Sequence, residues 1–199
     1  MKEFISKSKK FFWDLFFPKF CFSCKKEGNY LCEDCLAMLE ILESQFCPNC
    51  QKRVMDEKTC PNCKKFTKLN GLYFAAPYQN HLIKKMITNF KLEKKRLKWR
   101  GFNQSEEIGK ELVEFLKIPL LNDVLYKIRE TLPQIELTAE ARIKNIKGVF
   151  WVKNQEKIKE RKILLVDDVY TTGSTMNECA RVLKESGAKE VWGVVIARE

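Results

Sequence analysis

This chain has one histidine, His81, in 199 residues. Imidazole chemistry therefore has a single candidate, and it falls in a helical pattern where a solvent-facing position is expected. No apolar run approaches the roughly 18 residues of a membrane-spanning helix. The aromatic-rich start is interrupted by Asp14 and has no small-residue cleavage site after it, which argues against a secretory leader. No lysine follows Gly173 in the 171–175 loop, so it is not a Walker A loop, and no Gly-x-Gly-x-x-Gly fingerprint occurs. No side chain stands out as a general acid or base for an acceptor substrate.

What is present is positive charge, cysteine and one hydroxyl-rich loop. A hydrophobic content of 45% is enough to bury a core in one or two domains. The net charge of +11 points to anionic partners, either phosphorylated small molecules or nucleic acid. Residues 1–70 carry 13 Lys/Arg and 9 Asp/Glu. Each Zn²⁺ held by four thiolates adds about −2, so two filled sites would bring that region close to neutral. Attraction for polyanions then belongs mainly to residues 71–199.

Eight of nine cysteines form four Cys-x-x-Cys pairs: Cys21/Cys24, Cys32/Cys35, Cys47/Cys50 and Cys60/Cys63. Such a turn sets two thiolates on one side of a tight knuckle, and two knuckles complete a tetrahedral shell for zinc. Four knuckles predict two structural Zn²⁺ sites; the simplest assignment pairs neighbours, but the spacing allows three pairings. A disulfide framework would require export, and an iron–sulfur cluster is the main metal competitor. Few apolar residues lie between the knuckles, so the metal is expected to supply much of the folding free energy there, on the order of 10 kcal/mol. The ninth, Cys179, reads as a small core residue.

The most informative segment is 163–175. Ile163 to Val166 suit a strand buried on both faces. Asp167 and Asp168 stand at its C-terminal end, followed by Thr171, Thr172, Gly173, Ser174 and Thr175. Thr175 and Glu178 have capping-box spacing for the helix that follows. Strand, acidic pair, hydroxyl-rich turn and helix start together predict an anion site. Free amides and the helix dipole would hold a phosphate, and the carboxylates stand where they can bind sugar hydroxyls.

Elsewhere the pattern predicts a strand at 72–77, a helix at 81–90 with Leu82, Ile83, Met86 and Ile87 inward, and a helix capped by Ser105 with Ile108, Leu112, Phe115 and Leu116 inward. A strand is expected at 118–121. Strand 163–168, helix 176–186 and strand 190–197 form a βαβ crossover, hence a parallel sheet. Lys84 to Arg100 holds eight basic residues against one acid, Glu93, with Phe90, Trp99 and Phe102 interleaved. That combination suits single-stranded nucleic acid and equally a solvated helix face with its aromatics in the core.

The 167–175 loop resembles the 5-phosphoribosyl-1-pyrophosphate (PRPP) loop of type I phosphoribosyltransferases. With Phe17-Pro18 before the first knuckle, the four cysteine pairs, Arg100-Gly101-Phe102-Asn103-Gln104, Thr131-x-x-Gln134 and Arg142-x-x-Asn145, nearly the whole chain is similar to the ComF/GntX family. The aromatic-rich residues 1–20 read as an amphipathic helix packed on the rest of the protein rather than as a membrane-surface anchor. The resemblance implies an α/β architecture: a double zinc ribbon over 21–66 and a type I phosphoribosyltransferase-like domain over 70–199. It implies that Asp167 and Asp168 hold the ribose, that Thr171, Thr172, Gly173, Ser174 and Thr175 hold the 5′-phosphate, and that Mg²⁺ accompanies PRPP. It also implies a cytoplasmic role in natural competence, handling single-stranded DNA beside a helicase-like partner. Relative to the family, several tens of residues are missing between Phe90-Lys91 and the Arg100 motif, with a strand and the pyrophosphate loop among them. The expected domain is thus truncated, and Arg96, Lys98, Trp99 and Arg100 remain as candidates for diphosphate or nucleic-acid contact. Two functions follow: a competence-associated module that binds PRPP and nucleic acid, or an active phosphoribosyltransferase with an unknown base or amine acceptor.

Overall fold

Along residues 190–198 every second side chain from Val191 is small or β-branched: Val191, Gly193, Val195, Ala197. In a computed structural model, which describes residues 20–39, 41, 45–54, 58–97, 104–129, 141 and 145–199, these residues are buried on one face of a central strand. The other face is half-buried, as a period of two requires. Numbered in chain order, the strands are β1 (Gln45–Phe46), β2 (Arg53–Val54), β3 (Gly71–Pro77), β4 (Leu125–Lys127), β5 (Phe150–Val152), β6 (Lys162–Tyr170) and β7 (Glu190–Arg198). The helices are α1 (Glu33–Ala37), α2 (His81–Leu97), α3 (Gln104–Leu116) and α4 (Ser174–Glu185).

The main sheet runs β3-β7-β6, with both pairs parallel. The β6–α4–β7 crossover is the one the period change predicts. Its helix lies on the sheet through Met176, Ala180 and Leu183, packed with Leu72, Val191 and Val195. Gly193 makes this approach possible. A Cβ there would sit 2.7 Å from Leu72 Cδ1 and 2.9 Å from Met176 Sδ. On the opposite face, Tyr73 and Trp192 stack at 5.8 Å.

Two expectations about the sheet are corrected. Ile163 to Val169 are half-buried rather than enclosed on both faces, because β6 is the edge strand among the described residues. A hollow of about 450 Å³ lies between this strand, α3 and the 118–121 segment. That segment is irregular, since Pro119 denies a sheet its amide. The next strand is instead β4, paired antiparallel with β5.

α2 starts where Asn80 Oδ1 accepts the amides of Leu82 and Ile83 at 3.0 and 3.3 Å, an N-cap that satisfies orphan donors. It runs seven residues past the expected end to Leu97. Ile83 and Ile87 pack on Ala76 and Ala197, and His81 is exposed as expected. α3 begins at Gln104, so Ser105 is inside the helix rather than its cap. Its last turn carries Phe115, 83% exposed, and Leu116 into solvent, against the expected inward stripe.

Each half of the ribbon docks on the α/β domain. Leu82 of α2 packs on the Cys21, Cys32 and Cys35 cluster. The β1–β2 hairpin sets Phe46 6.0 Å from Phe74 of β3, and Thr59 bonds the backbone of Leu69 and Asn70. The helix expected over 1–20 lies outside the described residues, apart from Phe20, which bridges to Glu27.

Candidate functional site

The cysteines settle into two groups of neighbouring knuckles. Cys21, Cys24, Cys32 and Cys35 form one; Cys47, Cys50, Cys60 and Cys63 form the other. Within each group the four sulfurs lie within 4.8 Å of one another, and the Cys24–Cys32 and Cys50–Cys60 sulfurs are 3.5 and 3.6 Å apart. A tetrahedral ion with bonds of about 2.3 Å needs sulfurs roughly 3.8 Å apart, so both shells fit structural zinc. Their electrostatics ask for a cation as well. Backbone amides at Cys32 and Cys24 hold the Cys21 thiol down at about 6. Burial pushes the Cys60 thiol up to about 12, with the other three sulfurs acting in the same direction. Four thiolates cannot share such a shell without a positive ion between them.

The second constellation begins with Asp167. Its Oδ1 accepts the Ser105 hydroxyl at 3.1 Å and the Asp168 amide at 2.9 Å. The acidic pair lies inside β6, which continues past it to Tyr170. Thr171 and Thr172 then lead to Gly173 in the left-handed region, φ +72°, which is the N-cap of α4. Thr172 Oγ1 lies 3.0 Å from Ser174 Oγ. The expected capping box does not form. α4 starts at Ser174, ahead of Thr175, without a side-chain cap bond. Glu178 Oε1 accepts the Gly148 amide at 2.7 Å and Arg181 Nη2 at 2.6 Å. The Arg181 guanidinium holds the Glu178 carboxyl below its ordinary value.

The structure thus brings Asp167, Asp168, Thr171, Thr172, Gly173, Ser174 and Thr175 together at one end of the parallel sheet, where ligands of open α/β sheets sit. Helix-start amides, a dipole end and carboxylates converge there. Of the other candidates, Arg96 lies on the backbone of α2, while Lys98, Trp99 and Arg100 fall outside the described residues. Gln104, the last residue of the Arg100 motif, is buried at the start of α3.

Three participants were not legible beforehand. Tyr170 is buried beneath the loop, and its hydroxyl occupies the space a side chain at Gly173 would need, 2.0 Å from an added Cβ. Burial pushes its phenol up to about 12. Arg198 lies 5.4 Å over the Tyr170 ring. Asn177, in the first turn of α4, accepts from Thr67 and from the Lys68 amide at 3.0 and 2.6 Å. Arg198 carries no sequence motif for this role, and Asn177 lies in the helix pattern without one.

Each constellation falls within a stretch that matches a known domain. A double zinc ribbon domain model matches residues 12–64, and a phosphoribosyl transferase domain model matches residues 70–199. Competence protein F of Haemophilus influenzae is 38% identical over 101 residues, covering 49% of this chain and 44% of that protein. DNA utilization protein YhgH of Escherichia coli K12 is 36% identical over 100 residues, covering 49% and 43%. Both matches thus span less than half of the relative's length. Competence protein ComFC of Streptococcus pneumoniae is 28% identical over 192 residues, covering 84% of this chain and 87% of that protein. No helix among the described residues is long and apolar enough to cross a membrane.

Proposed function

Because the chain belongs to the ComF family, which joins a double zinc ribbon to a phosphoribosyl transferase domain, we propose that it binds PRPP or a related phosphoribosyl ligand in a competence-associated, DNA-handling role. The carrying observation is the junction of β6 and α4. A carboxylate braced by Ser105 lies near the end of β6, and a glycine-capped helix start follows within a few residues. Asp167 and Asp168 bind the ribose hydroxyls; the amides and hydroxyls of 171–175 hold the 5′-phosphate. Mg²⁺ arrives with the ligand, whose diphosphate and hydroxyl oxygens are the hard donors it prefers.

The zinc ribbon is the folding scaffold in this proposal, and the basic Lys84–Arg100 stretch attracts single-stranded DNA. The relatives' names, competence and DNA utilization proteins, support that direction. A cytoplasmic place beside a helicase-like partner belongs to the same proposal.

The test is calorimetric titration of zinc-loaded protein with PRPP and Mg²⁺. Micromolar binding that Asp168→Asn abolishes, with zinc content unchanged, supports the assignment. Binding that survives the substitution refutes the role of the acidic pair. Release of pyrophosphate on adding a base or amine would move the protein to the alternative, an active phosphoribosyltransferase.

A further inference from the structure

The two ends of the hydroxyl-rich loop are tied to opposite knuckles of one zinc shell. At the entry, Arg198 is buried and its Nη1 and Nη2 donate to the carbonyls of Cys47 and Pro48 at 3.0 and 2.9 Å. The same guanidinium covers the Tyr170 ring, and Tyr170 in turn fills the space under Gly173. The Glu199 amide donates to the Tyr170 carbonyl at 3.0 Å, fixing the two chain segments side by side. At the exit, the Phe66 and Thr67 amides donate to the Cys63 carbonyl. Thr67 and Lys68 then donate to Asn177, one turn into α4.

We propose that Arg198 and Asn177 are positioning residues through which zinc in the second shell, Cys47/Cys50/Cys60/Cys63, sets the conformation of the 171–175 loop, so that phosphate binding depends on that zinc and not on the first. The inference rests on the phosphoribosyl-ligand assignment above and adds its control. The physical cause is desolvation. A guanidinium stays charged, so its burial is costly unless its donors have partners; here Nη1 and Nη2 find theirs in two carbonyls of a metal knuckle, while the buried Nε has none. When the knuckle loses its ion, the Cys47-Pro48 turn loses the bonds that hold its shape. Arg198 must then turn toward water, which removes the lid from Tyr170 and the support from Gly173. Among the described residues no hydrogen bond ties the first shell to the loop: it packs on Leu82 of α2, and its only approach to this region is apolar, through Leu39 in the cluster of Ala76, Ile83, Ile87 and Ala197.

The experiment compares hydrogen exchange of the 170–177 segment in the full zinc-loaded chain with that in four variants. Cys60→Ser empties the second shell and Cys24→Ser the first, each checked by metal content. Arg198→Met and Asn177→Ala cut the two links while both zincs stay bound. Cys60→Ser, Arg198→Met and Asn177→Ala should each speed loop exchange about tenfold or more, and Cys24→Ser should change it less than about twofold. Equal acceleration in Cys24→Ser and Cys60→Ser would overturn the proposal, as would unchanged exchange in Arg198→Met. Should Cys60→Ser unfold the whole chain, shown by loss of protection in β7, the two link variants decide. Titration with PRPP and Mg²⁺ separates the two ideas: loop exchange that follows the second zinc in a protein that never binds PRPP sinks the ligand assignment alone.

Discussion

The Ser105 hydroxyl donates to Asp167 Oδ1 at 3.1 Å, joining α3 to the end of β6 across 62 positions of sequence. The bond leaves Asp167 with one oxygen oriented and the Asp168 amide satisfied by the same atom. The first turn of α3, which completes the Arg100 motif, therefore supports the acidic pair.

Replacing Ser105 by Ala removes one charge-assisted bond, worth about 1.5–3 kcal/mol when its partner is buried and less at this half-buried site. We expect PRPP binding to weaken by roughly fivefold to tenfold while zinc content and thermal midpoint stay near wild type. Unchanged affinity would show that Asp167 needs no brace.

Metal analysis of the purified chain should return two zincs. Cys32→Ser and Cys63→Ser should each remove one ion, because the shells share no ligand. Loss of both ions on either substitution would contradict the neighbour pairing.

Gly193→Ala should destabilise the α/β domain by about 1–3 kcal/mol, the usual cost of overpacking. The added methyl meets Leu72 and Met176 at under 3 Å. Urea unfolding measures it, and a companion Met176→Ala change should recover part of the loss by making room.

Glu178 carries a pH signature. Its carboxyl is held below the ordinary value of 4.5, chiefly by the Arg181 hydrogen bond. A depressed folded-state value means stability that is present in full above the unfolded value and is lost as pH falls through the folded one. Wild type and Glu178→Gln should therefore differ most above the unfolded value, near pH 6, and converge only as pH falls through the lowered folded value. A difference independent of pH would mean that the Gly148 and Arg181 contacts contribute without the charge.

Much of this molecule was visible one segment at a time. The knuckles are local, because a Cys-x-x-Cys turn places its own two sulfurs whatever surrounds it. The Asp167–Thr175 stretch is also contiguous, so strand, acidic pair and helix start could be predicted from residue order. The shift in period from two to 3.6 exposed the βαβ unit. The failures lie where another element competed. Glu178 suited a capping box, but it met Gly148 and Arg181 instead. Phe115 suited an inward stripe, but the last turn of α3 carries it into solvent.

By itself, the sequence determined the chemistry available: eight thiols in four pairs, one acidic pair before a hydroxyl-rich turn, one histidine. Periodicity says that a strand or helix has an apolar face, but not what covers it. Only the tertiary structure decided that neighbouring knuckles share an ion, that β6 lies at the sheet's edge, and that Ser105 braces Asp167. It alone brought Arg198 to Cys47, 151 positions away. Such pairs are chosen by mutual burial and hydrogen-bond satisfaction, which exist only once distant segments have met.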